Sequence, residues 1–302
     1  MTEQRTCSSC DDTSCGAQKQ RAGEADQRFN ERQAIASRMC VIGKKIVVLS
    51  GKGGVGKSTV SANLAASLVM AGKTVGLVDI DIHGPSIPKM LHIDGMPVQG
   101  TETGILPIKL PGGLKVMSMG LLLRSKDDAV IWRGPMKYTA IKQFLADVEW
   151  GPLDYLIVDC PPGTGDEPLA IIELIDKPDG AIVVTTPQQV AVQDVRRSIR
   201  FCEQTSVPVV GIIENMSGFV CPHCGNRSDI FGAGGGEALA KVAGVPFLGA
   251  IPMDPQVVVS GDDGKPFVQS EPDGETAKAF AAAIRPLLEG DGATGDASEK
   301  AV

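Results

Sequence analysis

The run Gly51-Lys52-Gly53-Gly54-Val55-Gly56-Lys57-Ser58-Thr59 has the residue types and spacing of a phosphate-binding loop, G-x-x-x-x-G-K-[ST]. Glycines let successive backbone N–H groups turn toward phosphate oxygens, and a following helix adds partial positive charge at its N-terminus. Lys57 is placed to reach the β- and γ-phosphates of a triphosphate, and the Ser58 hydroxyl to ligate Mg²⁺. A second lysine, Lys52, follows the first glycine. It reads either as a solvated surface cation or as a charge aimed at a phosphate. Downstream, Asp159 ends the run Asp-Tyr-Leu-Ile-Val-Asp, where a carboxylate can hold a metal-bound water beside the loop. Asp79 and Asp81 close another apolar run, and strand alternation places both carboxylates on one side, favouring a cation or polarised water between them. His83 reads as a loop histidine without a catalytic role. Asn215 carries an amide able both to donate to and to accept from a purine edge.

Soft ligands come from a different part of the chain. Cys221-Pro-His-Cys224 is a C-x-x-C element, and one such pair supplies only two thiolates. Two pairs facing each other across a two-fold axis give four sulfurs, enough for a [4Fe–4S] cluster or Zn²⁺. A zinc knuckle completed within one chain and a free redox dithiol are the alternatives, and His223 is an optional ligand. Cys7, Cys10 and Cys15 give C-x₂-C-x₄-C near the N-terminus, three thiolates that need a fourth ligand from Cys40 or a non-Cys group. Cys160 and Cys202 read as structural.

These groups need elements to carry them. Short apolar runs at Lys45–Ser50, Thr74–Asp79, Leu114–Met117, Asp154–Asp159, Ala181–Thr185, Pro208–Glu214 and Pro246–Ile251 read as strands. Helical spacing occupies Lys57–Ala71, Pro135–Val148, Glu167–Ile175, Val190–Glu203, Gly235–Ala243 and Glu275–Leu288. Strands alternating with helices imply an α/β fold, a mostly parallel central sheet flanked by helices on both faces. Ligands then bind beyond the carboxyl ends of the strands, where the loop at Gly51, Asp79 to Asp81, Asp159 and Asn215 are all expected. Residues 1–38 read as a flexible Cys-bearing arm or short helical appendage, 39–289 as the α/β domain, and 290–302 as a disordered tail.

Composition narrows the class. The 302 residues are 43% hydrophobic and 22% charged, which is ordinary for a globular domain. A net charge of -7 argues against nucleic acid as a partner. No apolar run approaches the ~18 residues of a membrane span, and the polar N-terminus lacks a secretory signal, so no membrane is expected and a cytoplasmic location is. Eight cysteines in that compartment read as metal ligands or reduced thiols rather than disulfides.

The loop with its early lysine resembles the deviant Walker A ATPases, which include Min-type, partition-type and nitrogenase iron-protein-type enzymes. In that group the early lysine crosses a dimer interface to the partner's nucleotide, which implies that role for Lys52. The order of Gly51–Thr59, Asp-Ile-Asp-Ile-His-Gly-Pro-Ser-Ile-Pro, Trp-Arg-Gly-Pro-Met, Asp-Cys-Pro-Pro-Gly-Thr-Gly-Asp and Cys-Pro-His-Cys closely resembles the Mrp/ApbC group of ATP-binding iron–sulfur carrier and scaffold proteins, over roughly residues 40–288. The resemblance implies a slow ATPase that is a homodimer, with Lys52, Lys57, Asp81 and Asp159 as its catalytic residues. It makes the segment at Asp79 switch I, with Asp81 orienting the attacking water and joining Ser58 and Asp159 around Mg²⁺, and Asp79 in support. It makes Asp159 to Asp166 switch II, and it places adenine against Asn215 and a pocket that includes Pro252 and Asp254. It implies a bridging [4Fe–4S] cluster on Cys221 and Cys224, passed to apo iron–sulfur proteins in company with cluster-assembly proteins. The arm with Cys7, Cys10 and Cys15 resembles that of the eukaryotic cytosolic scaffold relatives, where a fourth cysteine lies further upstream. A Min- or partition-type positioning ATPase and an ATP-driven electron-transfer protein are the alternative functions.

Overall fold

The computed structural model describes residues 19–122, 134–221, 223–224 and 226–292. The arm cysteines Cys7, Cys10 and Cys15, the Trp132-Arg133 part of the third motif, and 293–302 of the expected tail lie outside the described residues. In chain order the elements are α1 (Asp26–Met39), β1 (Ile42–Ser50), α2 (Lys57–Met70), β2 (Val75–Asp79), α3 (Ile87–Met90), the short strands β3 (Gln99–Gly100), β4 (Ile105–Leu106) and β5 (Ile108–Lys109), and β6 (Lys115–Ser118). There follow α4 (Gly134–Asp147), β7 (Leu153–Asp159), α5 (Asp166–Ile175), β8 (Gly180–Thr185), α6 (Gln189–Gln204), β9 (Val209–Val220), β10 (Arg227–Ser228), α7 (Gly235–Ala243), β11 (Phe247–Met253), α8 (Pro255–Asp262), α9 (Phe267–Ser270) and α10 (Glu275–Gly292).

The main sheet has the order β10-β9-β8-β1-β7-β2-β6-β5, with β11 also on β9, and β3 pairs with β4 as a separate two-stranded sheet. Pairing is parallel from β6 through β2, β7, β1, β8 and β9 to β11, and antiparallel for β5 and β10 at the margins. Both faces are buried, which explains why the central strands read as continuous apolar runs: Ile46 to Leu49 and Leu156 to Val158 are all essentially inaccessible. One face packs on α2, α9 and α10 through Leu64, Leu68, Phe267 and Phe280. The other packs on α1, α4 and α5 through Ile35, Phe144, Leu145 and Ile171. Chain order reverses at β1: the strands after it fall on one side as β7 and β2 and on the other as β8 and β9. Such a switch point opens a crevice at the carboxyl ends of the strands, and the glycine loop leaves β1 there.

Four expectations needed correction. Helix α1 occupies Asp26–Met39 and buries Ile35 and Met39, so the boundary drawn after residue 38 cuts through a packed element. The sequence allows a short helical appendage here, but its polar composition hides the packing, because only one narrow stripe touches the core. Arg38 holds its end down by donating to the carbonyls of Ala146 and Thr103 and to Glu149. At the other end α10 runs to Gly292, past the limit drawn at residue 289. Strand β9 does not stop at Glu214 but continues to Val220. Finally, α8 and α9 fill a stretch read as connection.

If α1 belongs to the domain, Ile35→Ala should lower the unfolding free energy by about 2–5 kcal/mol in urea titration, the usual cost of a large-to-small change in a core. A flexible appendage would leave the midpoint unmoved.

Candidate functional site

The glycine loop is shaped by neighbours on both sides. At Gly51 a β-carbon would lie 2.4 Å from Cβ of Asp194, so α6 passes too close for any side chain. Gly56 has φ +78 and caps the N-terminus of α2, and a β-carbon there would fall 2.3 Å from Nδ2 of Asn215. That amide donates to the Val55 carbonyl at 2.9 Å. Asn215 therefore braces the loop from β9, a contact nothing in the sequence announces.

Lys57 begins α2 yet is almost wholly buried, and its Nζ lies 2.8 Å from Oδ1 of Asp159 at the end of β7. Asp159 also accepts from Ser58 Oγ at 2.6 Å and from Ser61 Oγ at 2.7 Å. The loop lysine, the candidate magnesium hydroxyl and the candidate metal carboxylate thus form one hydrogen-bonded cluster. Ser61 was missed from the sequence, although it sits one turn after Lys57 on the same face. The donor set suits Mg²⁺: a hydroxyl and a carboxylate are hard oxygen ligands beside a phosphate cradle.

Asp79 and Asp81 part company, contrary to their expected common side. Asp79 is fully buried, pairs in register with Asp159, and accepts from Ser118 Oγ and the Asp81 N–H. Burial, reinforced by the charge of Asp159, pushes its carboxyl up to about 7. It lies behind the cluster and not in the cleft. Asp81 lines the cleft with Gly53, Lys57, Ser58, Thr59 and Pro162, a space of about 240 Å³. Its Oδ1 accepts the N–H groups of His83 and Gly84. Across the cleft, Gly163 donates to the Ser50 carbonyl at 2.8 Å, bringing the loop after β7 against the start of the phosphate loop. Lys52 is partly exposed and makes no ion pair or side-chain hydrogen bond with the described residues.

Pro252 and Asp254 stand apart from the phosphate cleft. They line a separate hollow of about 320 Å³ with Val220, Gln256 and Thr276. Register puts Ile251 opposite Asn215, so the hollow begins one residue beyond the asparagine on the adjacent strand. Asp254 is also the N-cap of α8, accepting from the Gln256 N–H at 2.9 Å and from Thr276 Oγ1 at 3.0 Å.

Beyond Asn215, β9 turns sharply at Met216 and Gly218, both with positive φ, and then pairs with β10. Cys221 and Cys224 occupy the tip of that hairpin, closed by a hydrogen bond from Cys221 N–H to the Asn226 carbonyl. Backbone N–H groups of Cys224 and His223, and the Cys224 side chain, hold the Cys221 thiol below its ordinary range. No third His, Cys, Asp or Glu joins the two cysteines among the described residues. Glu214 anchors the base of the turn. This buried carboxylate accepts from Ser217 Oγ and from the N–H groups of Gly234 and Gly236 at the start of α7. Its only sequence signal was a charge inside an otherwise apolar strand.

A glycine loop delivered from the central strand onto a helix, its lysine against the carboxylate of the neighbouring strand, is how P-loop NTPases surround nucleotide phosphates. A family model described as "ParA: NUBPL iron-transfer P-loop NTPase" matches residues 41–288, and the chain belongs to that family. It is 51% identical over 247 residues to the cytosolic Fe-S cluster assembly factor NUBP2 of Rattus norvegicus, covering 80% of this chain and 91% of the relative. It is 51% identical over 263 residues to the iron-sulfur cluster carrier protein of Methanocaldococcus jannaschii, covering 87% and 89%. Among solved structures, a nucleotide-binding protein from Archaeoglobus fulgidus in complex with ADP superposes with a TM-score of 0.70 at 40% identity, covering 78% of this chain and 92% of the other.

Two outcomes follow for the folded protein. Iodoacetamide should label Cys221, Cys224 and Cys40 within minutes, while Cys160 and Cys202, buried and with thiols raised by that burial, react only after denaturation, as read by peptide mass spectrometry. Glu214→Ala should cost about 1–3 kcal/mol in chemical denaturation, because it leaves buried N–H groups unpaired.

Proposed function

We propose that this chain binds and slowly hydrolyses ATP in order to control a [4Fe–4S] cluster held between two copies of itself and handed on to apo-proteins. The observation that carries the reading is the continuity of β9. The strand bears Asn215, which braces the phosphate loop, and runs on to Val220, directly before Cys221 at the hairpin tip. Six residues of extended chain reach at most roughly 20 Å, and the positive-φ positions Met216 and Gly218 shorten that path, so the loop and the thiols are joined by a short route.

In this scheme the loop N–H groups and Lys57 hold the β- and γ-phosphates, with Lys57 turning from Asp159 toward phosphate oxygen. Ser58 and Asp159, with Asp81 at the cleft wall, would hold Mg²⁺, which when bound neutralises charge on the phosphates. Asp81 orients the attacking water, its carboxylate steadied by the His83 and Gly84 N–H groups. Lys52 supplies charge to the nucleotide of the facing subunit. Adenine rests between the free carbonyl side of Asn215 and the hollow at Pro252 and Asp254. The cluster is cargo: Cys221 and Cys224 of each copy furnish four thiolates, and the lowered Cys221 thiol favours the ligating form. The relatives named as a cluster carrier and as a cytosolic assembly factor support this cargo and a cytoplasmic setting, with apo iron–sulfur proteins and cluster-assembly proteins as partners. The ADP in the archaeal structure supports the nucleotide. A positioning-ATPase reading leaves Cys221 and Cys224 without a role. For the arm, a second cluster on Cys7, Cys10 and Cys15 remains part of the proposal.

Anaerobic reconstitution with iron and sulfide should give a brown dimer carrying about one cluster per two chains through these cysteines, by the four-thiolate count. Cys221→Ala with Cys224→Ala should abolish it, measured on protein lacking the three arm cysteines so that the two sites are separated. Lys57→Ala should keep the cluster but lose the effect of ATP on its transfer to an apo-acceptor. Unchanged cluster content in the double cysteine variant would sink the bridging assignment.

A further inference from the structure

Beside the phosphate cleft, three charged or polar side chains from three separate elements meet at one ammonium. Lys137, in the first turn of α4, hydrogen-bonds Oε1 of Glu167, in the first turn of α5. The same Nζ lies 2.6 Å from Nε2 of His83, in the segment that follows β2. His83 and Glu167 are themselves 3.4 Å apart. An ammonium only donates, so it meets the lone pair of Nε2 on one side and the carboxylate on the other. Lys137 and Glu167 are about one-fifth exposed, which shields the contact from water more than an ordinary surface pair.

Each end of this link leads directly to the cleft. The His83 N–H donates to Oδ1 of Asp81 at 3.0 Å. Glu167 follows the loop whose Gly163 N–H is tied to the Ser50 carbonyl. So Lys137 joins the segment carrying Asp81 to the loop carrying Asp159 without touching the cleft itself. Packing alone does not call for it. The α4 and α5 helices already share an apolar face through Phe144, Leu145, Ile171 and Ile172, and His83 stays more than half exposed.

We propose that Lys137 is a positioning residue for ATP hydrolysis, a latch that holds the Asp81 segment in register with the loop after Asp159. The inference rests on the reading of Asp81 as the group that orients water. It adds that the orientation is set from α4, outside the nucleotide contacts. A helix that spans the apolar face next to α1 is thereby coupled to turnover.

The test compares full-length wild type with Lys137→Met, Lys137→Arg, Glu167→Gln and the Met/Gln double variant. Phosphate release gives kcat and KM, fluorescent ADP titration gives affinity, and thermal melting gives stability. Lys137→Met should lower kcat at least about tenfold, as small misplacements of a catalytic group do, with KM and ADP affinity nearly unchanged. Lys137→Arg should recover most of that loss, and the double variant should be no slower than the worse single one. Wild-type kcat in Lys137→Met overturns the latch, as does a loss of kcat that tracks melting temperature and is not recovered by Arg. Absence of phosphate release from the wild type itself would overturn the ATPase reading and the latch with it, and is distinguished because it is seen before any substitution.

Discussion

The buried contact between Lys57 and Asp159 is the interaction on which the rest of this structure depends. A lysine and an aspartate lie together inside an apolar sheet, exposed by 7% and 0%. Removing either partner from such a pair leaves a stranded charge, at a cost of about 3–5 kcal/mol. Two serine hydroxyls complete the carboxylate's partners, and Asp79 stands behind it with a raised affinity for its proton. In the proposed scheme a nucleotide phosphate competes with this carboxylate for the lysine. Asp159 ends β7 and opens the loop toward α5, so the pair joins the start of α2 to that loop.

In the proposed scheme β9 links that centre to the cysteines. Glu214 fixes it against the start of α7, Asn215 fixes it against the phosphate loop, and the free end beyond Gly218 carries the cysteines outward. The parallel partner β8 stops at the level of Glu214, while β11 follows β9 to Phe219 and β10 pairs with its last two residues, so the hairpin tip lies just past the edge of the sheet. The opposite side of the cleft has its own link, from the segment after β2 through Lys137 to α5.

Much of this was legible in the residue order. The strands and helices of the α/β core emerged because each buries a continuous apolar run or a regular stripe. The loop Gly51–Thr59 emerged because phosphate geometry demands glycines and a lysine at fixed separations. The C-x-x-C pair was legible as an incomplete ligand set by counting thiolates. Where the reading went astray, the missing fact was a distant partner. Alternation grouped Asp79 with Asp81, yet the Ser118 hydroxyl and the pairing of β2 between β6 and β7 bury the first and leave the second to the cleft. Helix α1 read as part of a flexible arm or short helical appendage because its burial depends on α4 and α5, about a hundred residues or more away.

By itself the sequence determined the α/β class, the nucleotide loop and its lysines, the acidic residues at the strand ends, and a two-thiolate motif that is an incomplete ligand set. These are short-range matters, set by residue types within one strand, turn or helix. Only the tertiary structure decided which carboxylate faces the cleft, that Asn215 braces Val55, that Pro252 and Asp254 line a hollow of their own, and that Lys137 joins His83 to Glu167. Each of those facts is a contact between residues far apart in the chain. Such contacts are set by which strands neighbour one another in the sheet, and no local pattern of residues encodes that order.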